Sequence, residues 1–272
     1  MKTELHKVEG AGNDFLLGVG GWTTRLADDA DFVRRLCDRR RGLGADGVIA
    51  LNAIDEVTVR LRYRNADGSA GAFCANATRC AARAAVELLG LARRLVVETD
   101  WKRIPAAVDG REVALDLPAP GAAPVRPEIV APEGFSDLTL YDVGVPHLVA
   151  EVTAVADLDL VALGPPLRAH PALGPEGANV NFYEIATDGV VRIRTWERGV
   201  EGETLACGSG SVAVSLQVMA LRGLRKVNIN PASGDRLTVE ALGEPPGCPT
   251  RLTGPTRMVA RIDLSSEFLG ES

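Results

Sequence analysis

The sequence predicts a mixed helix-and-strand protein built from two copies of one module, and three observations carry that reading. Short runs of alternating apolar residues and runs of helical period follow one another along the chain. The second half overlays the first in order. A constant shift of 132 residues places Gly12 on Gly144, Gly42 on Gly174, Val48 on Val180 and Thr58–Arg62 on Val190–Arg194, and one residue more places Cys74 on Cys207. Between the halves, Pro118, Pro120, Pro124, Pro127 and Pro132, interleaved with Gly and Ala, mark a break in composition that reads as a linker.

The individual elements follow from local pattern. Glu4 to Glu9 alternates like a strand and runs into Gly10-Ala11-Gly12-Asn13-Asp14-Phe15, where glycines bracket a turn that holds Asn13. Asp28 to Arg39 carries Phe32, Val33, Leu36 and Cys37 on one helical face, with Asp28 or Asp29 as the cap and Arg39, Arg40 and Arg41 at the end that favours cations. Gly42 to Gly47 is a tight loop before the strand Val48–Leu51. A dinucleotide-binding turn would need its glycines after a strand and before a helix. Val57 to Tyr63 is a half-exposed strand by period, Ala81 to Leu91 a helix ended by Gly90, and Leu95–Val97 the start of another strand.

Composition excludes several functions. A chain of 272 residues can bury a large core, and with 46% apolar but only 4% aromatic residues that core must be Ala, Leu and Val. A net charge of −6 with dispersed arginines argues against a nucleic-acid partner. No basic-then-apolar leader stands at the start, and Val143 to Leu163 carries too many acids to span a bilayer, so the chain reads as cytoplasmic with no membrane partner. Five cysteines without a short CxxC, together with 3 histidines, predict reduced thiols, no disulfide framework and no metal site. Cys37, Cys80 and Cys248 read as small buried hydrophobes.

Cys74 and Cys207 read differently. Each stands just before a helix start, where free backbone amides and the helix dipole are expected to lower a thiol pKa. The amides of Ala75, Asn76, Gly208 and Ser209 form an anion site that suits a carboxylate. A thiolate and a thiol flanking a carboxylate-bearing carbon could remove a proton from one face and return one to the other. Glu197 and Arg198 lie close enough to Cys207 in sequence to touch the same ligand. Asn13, Asn65 and Asn179 are ordinary turn residues in isolation and gain interest from their places in the repeat. His147 reads either as a packed loop residue or as a group that orients or deprotonates a thiol.

The stretches Gly12-Asn13-Asp14-Phe15, Asn65-Ala66-Asp67-Gly68-Ser69, Cys74-Ala75-Asn76-Ala77-Thr78-Arg79-Cys80, Pro146-His147, Asn179-Val180-Asn181-Phe182, Glu197-Arg198-Gly199, Glu203 to Gly210 and Leu252-Thr253-Gly254-Pro255 resemble the diaminopimelate epimerase family over nearly the whole chain. The resemblance implies an α+β fold of two similar domains, each a curled mixed or antiparallel sheet around a central helix, with the active site in the cleft between them. It implies domains over 1–117 and 118–260, with 261–272 returning to the first. It further implies epimerisation of LL- to meso-diaminopimelate for lysine and cell-wall synthesis, without pyridoxal phosphate or any other cofactor. Cys74 and Cys207 would be the two bases. Asn76, Ser209 and the amides of Ala75 and Gly208 would hold the reacting carboxylate, Glu197 the reacting amine, and Asn13, Asn65, Asn179 and Arg198 the rest of the small amino-acid substrate. A homodimer is compatible with the chain, although nothing in the sequence argues for one.

The chain departs from the family pattern at four positions. Ala75 and Ala77 stand where the family usually has glycine, Val145 interrupts the usual Gly-Asn-Pro-His, and Gly47 replaces a glutamine. Alanine adds a Cβ and resists positive φ, and valine offers no hydrogen bond. These changes open two alternatives to the first reading: a racemase for another amino acid such as histidine, or a non-catalytic amino-acid-binding paralogue.

Overall fold

A computed structural model of the protein describes residues 4–270, and its backbone separates into two compact units. One runs to Leu115 and takes the chain back from Pro255; the other is Asp116–Gly254.

In the first unit, β1 (Glu4–Gly10) and β2 (Asn13–Val19) form a hairpin closed by Ala11 and Gly12, at φ 55° and 85°. Two left-handed central residues twist a two-residue turn to match its strands. Asn13 therefore opens β2, opposite Gly10, instead of lying in the turn. Two helices follow, α1 (Thr23–Asp28) and α2 (Ala30–Cys37); Asp29 caps α2 by accepting the Phe32 N–H at 2.9 Å, and Phe32, Val33, Leu36 and Cys37 are buried. The strand β3 (Gly47–Ala53) lies parallel to β2, and β4 (Thr58–Asn65) runs antiparallel to β3. One end of β4 carries the short β5 (Ala70–Gly71).

The helix α3 (Ala75–Leu89) starts six residues before the apolar run that announces it, because its first turn is polar and is held by the Cys74 carbonyl, which accepts from Thr78 Oγ1 at 2.8 Å. Gly90, at φ 73°, ends it. The other end of β4 then pairs in parallel with β6 (Arg94–Glu98), which continues antiparallel through β7 (Arg103–Asp109) to β8 (Glu112–Leu117). The helix packs against β1 to β4, β6 and β7. Ala77, Ala81, Ala82, Ala84 and Ala85 are fully buried on it. Side chains that stop at Cβ let the strands approach the helix axis, so the sheet can curl around it.

The second unit repeats this plan. Its strands are β9 (Phe135–Asp142), β10 (Pro146–Val152), β11 (Asn179–Ile185), β12 (Val191–Glu197), β13 (Gly202–Thr204), β14 (Lys226–Asn230), β15 (Leu237–Ala241) and β16 (Thr250–Pro255). A helix α4 (Leu160–Arg168) precedes β11, and the central α5 (Gly208–Arg222) packs against β10, β11, β14 and β15. The strand register repeats at the offset seen in the sequence. The parallel pair Phe15↔Gly47 recurs as His147↔Asn179, the antiparallel pair Ile49↔Tyr63 as Asn181↔Thr195, and the parallel pair Val59↔Val97 as Val191↔Ile229, each 132 residues on. The chain then returns to the first unit as β17 (Arg257–Asp263), antiparallel to β1, and ends its described part in α6 (Ser266–Leu269). Among the described residues no helix is long and apolar enough to cross a membrane.

Candidate active site

Both units place a cysteine at one structural position, the residue that caps the N-terminus of the central helix. Cys74 caps α3 with extended backbone (φ −144°, ψ 115°), and Cys207 caps α5 (φ −111°, ψ 112°). A residue at this position has its side chain beside the unpaired amides of the first turn.

Around Cys74, Asn13, Asn76 and the thiol converge. The Ala77 N–H points at the Cys74 sulfur at 3.5 Å, and the thiol donates to Asn13 Oδ1 at 3.8 Å, which also accepts from Asn76 Nδ2 at 3.3 Å. Neither amide is free to turn. Asn13 Nδ2 donates to Asp46 Oδ2 at 2.7 Å, and Asn76 Oδ1 accepts from the fully buried Arg79 guanidinium at 2.8 Å. Asp46 is in turn bridged by Arg39, which also binds Asp14. Burial opposes the Asp14 charge, but Arg39 and Lys7 beside it hold its carboxyl down at about 2. Ala75 and Ala77 lie in the right-handed first turn of α3, and the non-glycine residues of positive φ among those described are Ala11 and Glu201. The glycine conformation that alanine would resist is thus not required here.

Asn65 is held in a separate arrangement: its Oδ1 accepts from the Tyr63 hydroxyl at 2.8 Å and its Nδ2 donates to Ser69 Oγ at 2.9 Å. The Tyr63 ring occupies space cleared by two glycines. A Cβ at Gly47 would lie 2.8 Å from the ring and 2.4 Å from the Arg64 carbonyl oxygen, and one at Gly71 would lie 2.5 Å from the ring.

In the second unit, Cys207, Ser209, His147 and Glu197 come together. Ser209 Oγ is 3.5 Å from the Cys207 sulfur and 2.9 Å from His147 Nε2. Asn179 links the two arms of the site, accepting the Arg198 backbone N–H at 2.9 Å and donating to the Pro146 carbonyl at 3.3 Å. The helix-start argument for an acidic thiol fails at Cys207. Burial pushes its pKa well above the ordinary thiol value, the Glu197 carboxylate adds to this, and the Ser209 hydroxyl and Gly210 amide do not offset them. His147 is fully buried, and burial drives its pKa down to about 3, so the ring is neutral. Cys37, Cys80 and Cys248 are free and buried, and burial pushes the Cys37 thiol up to about 12.

Sequence reasoning did not single out Asp46, Tyr63, Arg79 or Asn181. Asn181 carried a signal, since it stands two residues after Asn179 and a strand puts both on one face. Arg79 lay inside the Cys74–Cys80 stretch without an assigned role.

Comparison with known proteins places these groups in context. The sequence model of a family described as diaminopimelate epimerase matches residues 6–112 and 139–257. The diaminopimelate epimerase of Aquifex aeolicus is 35% identical over 252 residues, covering 87% of this chain and 89% of that protein. That of Archaeoglobus fulgidus is 37% identical over 229 residues, covering 79% and 81%. Among solved structures, a phenazine biosynthesis protein of the PhzF family from Bacillus anthracis superimposes with a TM-score of 0.76 at 11% identity, covering 97% of this chain and 99% of that one. A hydroxyproline epimerase from Agrobacterium vitis, solved with bound trans-4-hydroxy-L-proline, gives 0.66 at 17% identity, covering 96% and 93%. At such identities these two structures speak to the fold alone.

Proposed function

This chain belongs to the diaminopimelate epimerase family, and on that footing we propose that it interconverts LL- and meso-diaminopimelate by two-base proton transfer at the α-carbon. The observation that carries the mechanism is the repeated cap: one cysteine at the start of each central helix, each among polar side chains whose orientation is fixed. One cysteine, as thiolate, takes the α-hydrogen as a proton, and the C–H electron pair passes into the carboxylate. The other, as thiol, gives its proton to the opposite face, so the configuration inverts and the two sulfurs exchange protonation states.

The amides at the two helix starts, that of Ser209 among them, with Asn76, suit the carboxylate on which negative charge develops. Glu197 suits the ammonium group of the reacting centre. Its carboxylate also faces the Cys207 thiol. Asn13, Asn65, Asn179 and Arg198 offer the donors and acceptors that the distal amino-acid end of a diaminopimelate requires. The reaction calls for no electron sink beyond these groups and no Schiff base.

The test is exchange of the α-proton in heavy water under reducing conditions, with LL-diaminopimelate and with a panel of single amino acids. Loss of the α-proton signal with diaminopimelate, abolished by either Cys74→Ala or Cys207→Ala, is the expected result. Exchange with a different amino acid only would overturn the substrate, and near-normal turnover in either variant would overturn the two-base scheme.

A further inference from the structure

The polar groups beneath Cys207 have no counterpart beneath Cys74, although the backbone there is the same. His147, Asn181 and Thr195 of the second unit occupy the register positions of Phe15, Ile49 and Tyr63 in the first. In the first unit those three are apolar or aromatic, with Phe15 and Tyr63 edge to face at 5.9 Å between ring centres. The module thus folds with an apolar cluster at this place. A buried histidine–asparagine pair is not something the architecture demands, and burying it without need would be unfavourable.

The hydrogen bonds of that pair run in one direction. Asn181 Oδ1 accepts from Thr195 Oγ1 at 3.1 Å, and its Nδ2 donates to the Leu148 carbonyl at 3.2 Å. Turning the amide over would set oxygen against oxygen at Leu148, so the NH2 group must be where it is. The second hydrogen of that NH2 points to His147 Nδ1 at 3.0 Å. A ring nitrogen facing a donor cannot carry a proton. The neutral ring therefore holds its hydrogen on Nε2 and donates to Ser209 Oγ at 2.9 Å. Ser209, with its acceptor side engaged, has its own hydrogen left for the Cys207 sulfur at 3.5 Å. The position is also reserved from the helix side. A Cβ at residue 210 would lie 2.2 Å from Asn181 Oδ1, so Gly210 leaves the room that Asn181 needs; Ala77 stands at the matching place in the first unit.

We infer that Asn181 is a positioning residue for Cys207: it fixes the tautomer of His147 so that the chain of donors from Thr195 through Asn181, His147 and Ser209 ends on the Cys207 sulfur and stabilises its thiolate. This rests on the reading of Cys207 as one of the two bases. It also gives that reading a means of countering the burial and the Glu197 carboxylate, which both favour the thiol. The charged groups around the chain are Glu197, which faces Cys207, and Arg198, whose charge disfavours a second proton on His147.

Two measurements test it without substrate. Nitrogen-15 shifts of the His147 ring in the native protein should show a proton on Nε2 and none on Nδ1; a proton on Nδ1 overturns the inference at once. Alkylation of Cys207 by iodoacetamide, followed by mass spectrometry as pH is raised from neutral, should slow roughly tenfold at a given pH in Ser209→Ala, which removes the terminal donor. It should slow several-fold in Asn181→Ile, which installs the first unit's own residue and releases the ring, and in Gly210→Ala, which displaces Asn181 from the helix side. Cys74 alkylation should stay at the native rate in all three. Native Cys207 rates in Asn181→Ile and Gly210→Ala beside a slow Ser209→Ala would show that Asn181 does not direct the chain. If Cys207 were not a catalytic base, α-proton exchange would survive its replacement while these shifts in alkylation remained, so the two failures are separable.

Discussion

Tyr63 occupies the space in which a side chain at position 47 would otherwise stand, and it spends its hydroxyl on Asn65. The glutamine expected there from family resemblance is thus replaced by a ring from the neighbouring strand, and the polar contact moves from residue 47 to the pair Tyr63–Asn65. With the amide orientation fixed by Tyr63 and Ser69, Asn65 has a second hydrogen of its NH2 group to offer, which suits an oxygen of a distal carboxylate. Tyr63→Phe should free the amide to turn and raise KM for diaminopimelate about fivefold, the value of one hydrogen bond of about 1 kcal/mol, with a smaller effect on kcat; steady-state kinetics separate the two. Cys74 and Cys207 stood out in the sequence because a cysteine just before a helix start is a local signal, and Asn13 because glycines precede it. Asp46 and Asn181 were not legible there, nor was the place of the Tyr63 ring against Gly47, since each depends on residues brought close only by strand pairing. The acidity of Cys207 was misjudged for a related reason: the helix start is local, whereas burial and the approach of Glu197 are not.

Helix α4 shows how secondary structure around the site is held. It carries Pro165 and Pro166 inside its span and lays Gly164 flat on Trp196, the residue that precedes Glu197 on β12. A Cβ at residue 164 would lie 2.4 Å from the indole ring. Alanine is the better helix former by about 1 kcal/mol, but overpacking against a buried ring costs about 1–3 kcal/mol, so Gly164→Ala should lower stability on balance. Urea unfolding would show a reduced midpoint with unchanged slope, and the same variant should reduce activity by displacing the end of β12. Alternation marked β4 in part: Val59 and Leu61 are buried beside half-buried Arg60 and Arg62, whereas Thr58 is buried out of period and Val57 is exposed. The start of α3 was not marked, because its first turn is polar for reasons of chemistry, with Asn76 and Arg79 buried where helical periodicity would place apolar residues.

The protein as a whole should be more sensitive to acid than its carboxylates alone would make it. The pKa of His147 falls from 6.5 to about 3 on folding, so below about pH 6.5 the unfolded chain binds a proton that the folded one refuses. Its contribution to stability is full above that pH and is lost as pH falls toward about 3, with a slope of at most about 1.4 kcal/mol per pH unit. Asp14 acts later and has the same sign: lowered from 3.8 to about 2, it contributes above its unfolded value and loses that contribution as pH falls through about 2. Urea midpoints measured against pH should therefore begin to decline in the histidine range. His147→Phe, which copies Phe15, should flatten the curve between about 6.5 and 3 and leave the lower step in place. The two-module plan itself was legible from the offset of 132 residues, because a duplicated chain keeps its register even where its side chains have diverged.

The return of β17 to β1 has a consequence during synthesis. Partners such as Leu5 and Ile262 lie at opposite ends of the chain, whereas Asp116–Gly254 is continuous. As the nascent chain leaves the ribosome, the later unit has all its strands before the earlier one can close its sheet. The edge of β1 must wait, unpaired on that side, until β17 has been made on the far side of the later unit, and such a long-range pairing is slow to form and exposed to wrong partners meanwhile. A chain truncated before Arg257 should give a protein whose later unit resists protease while Glu4–Gly10 is open to it.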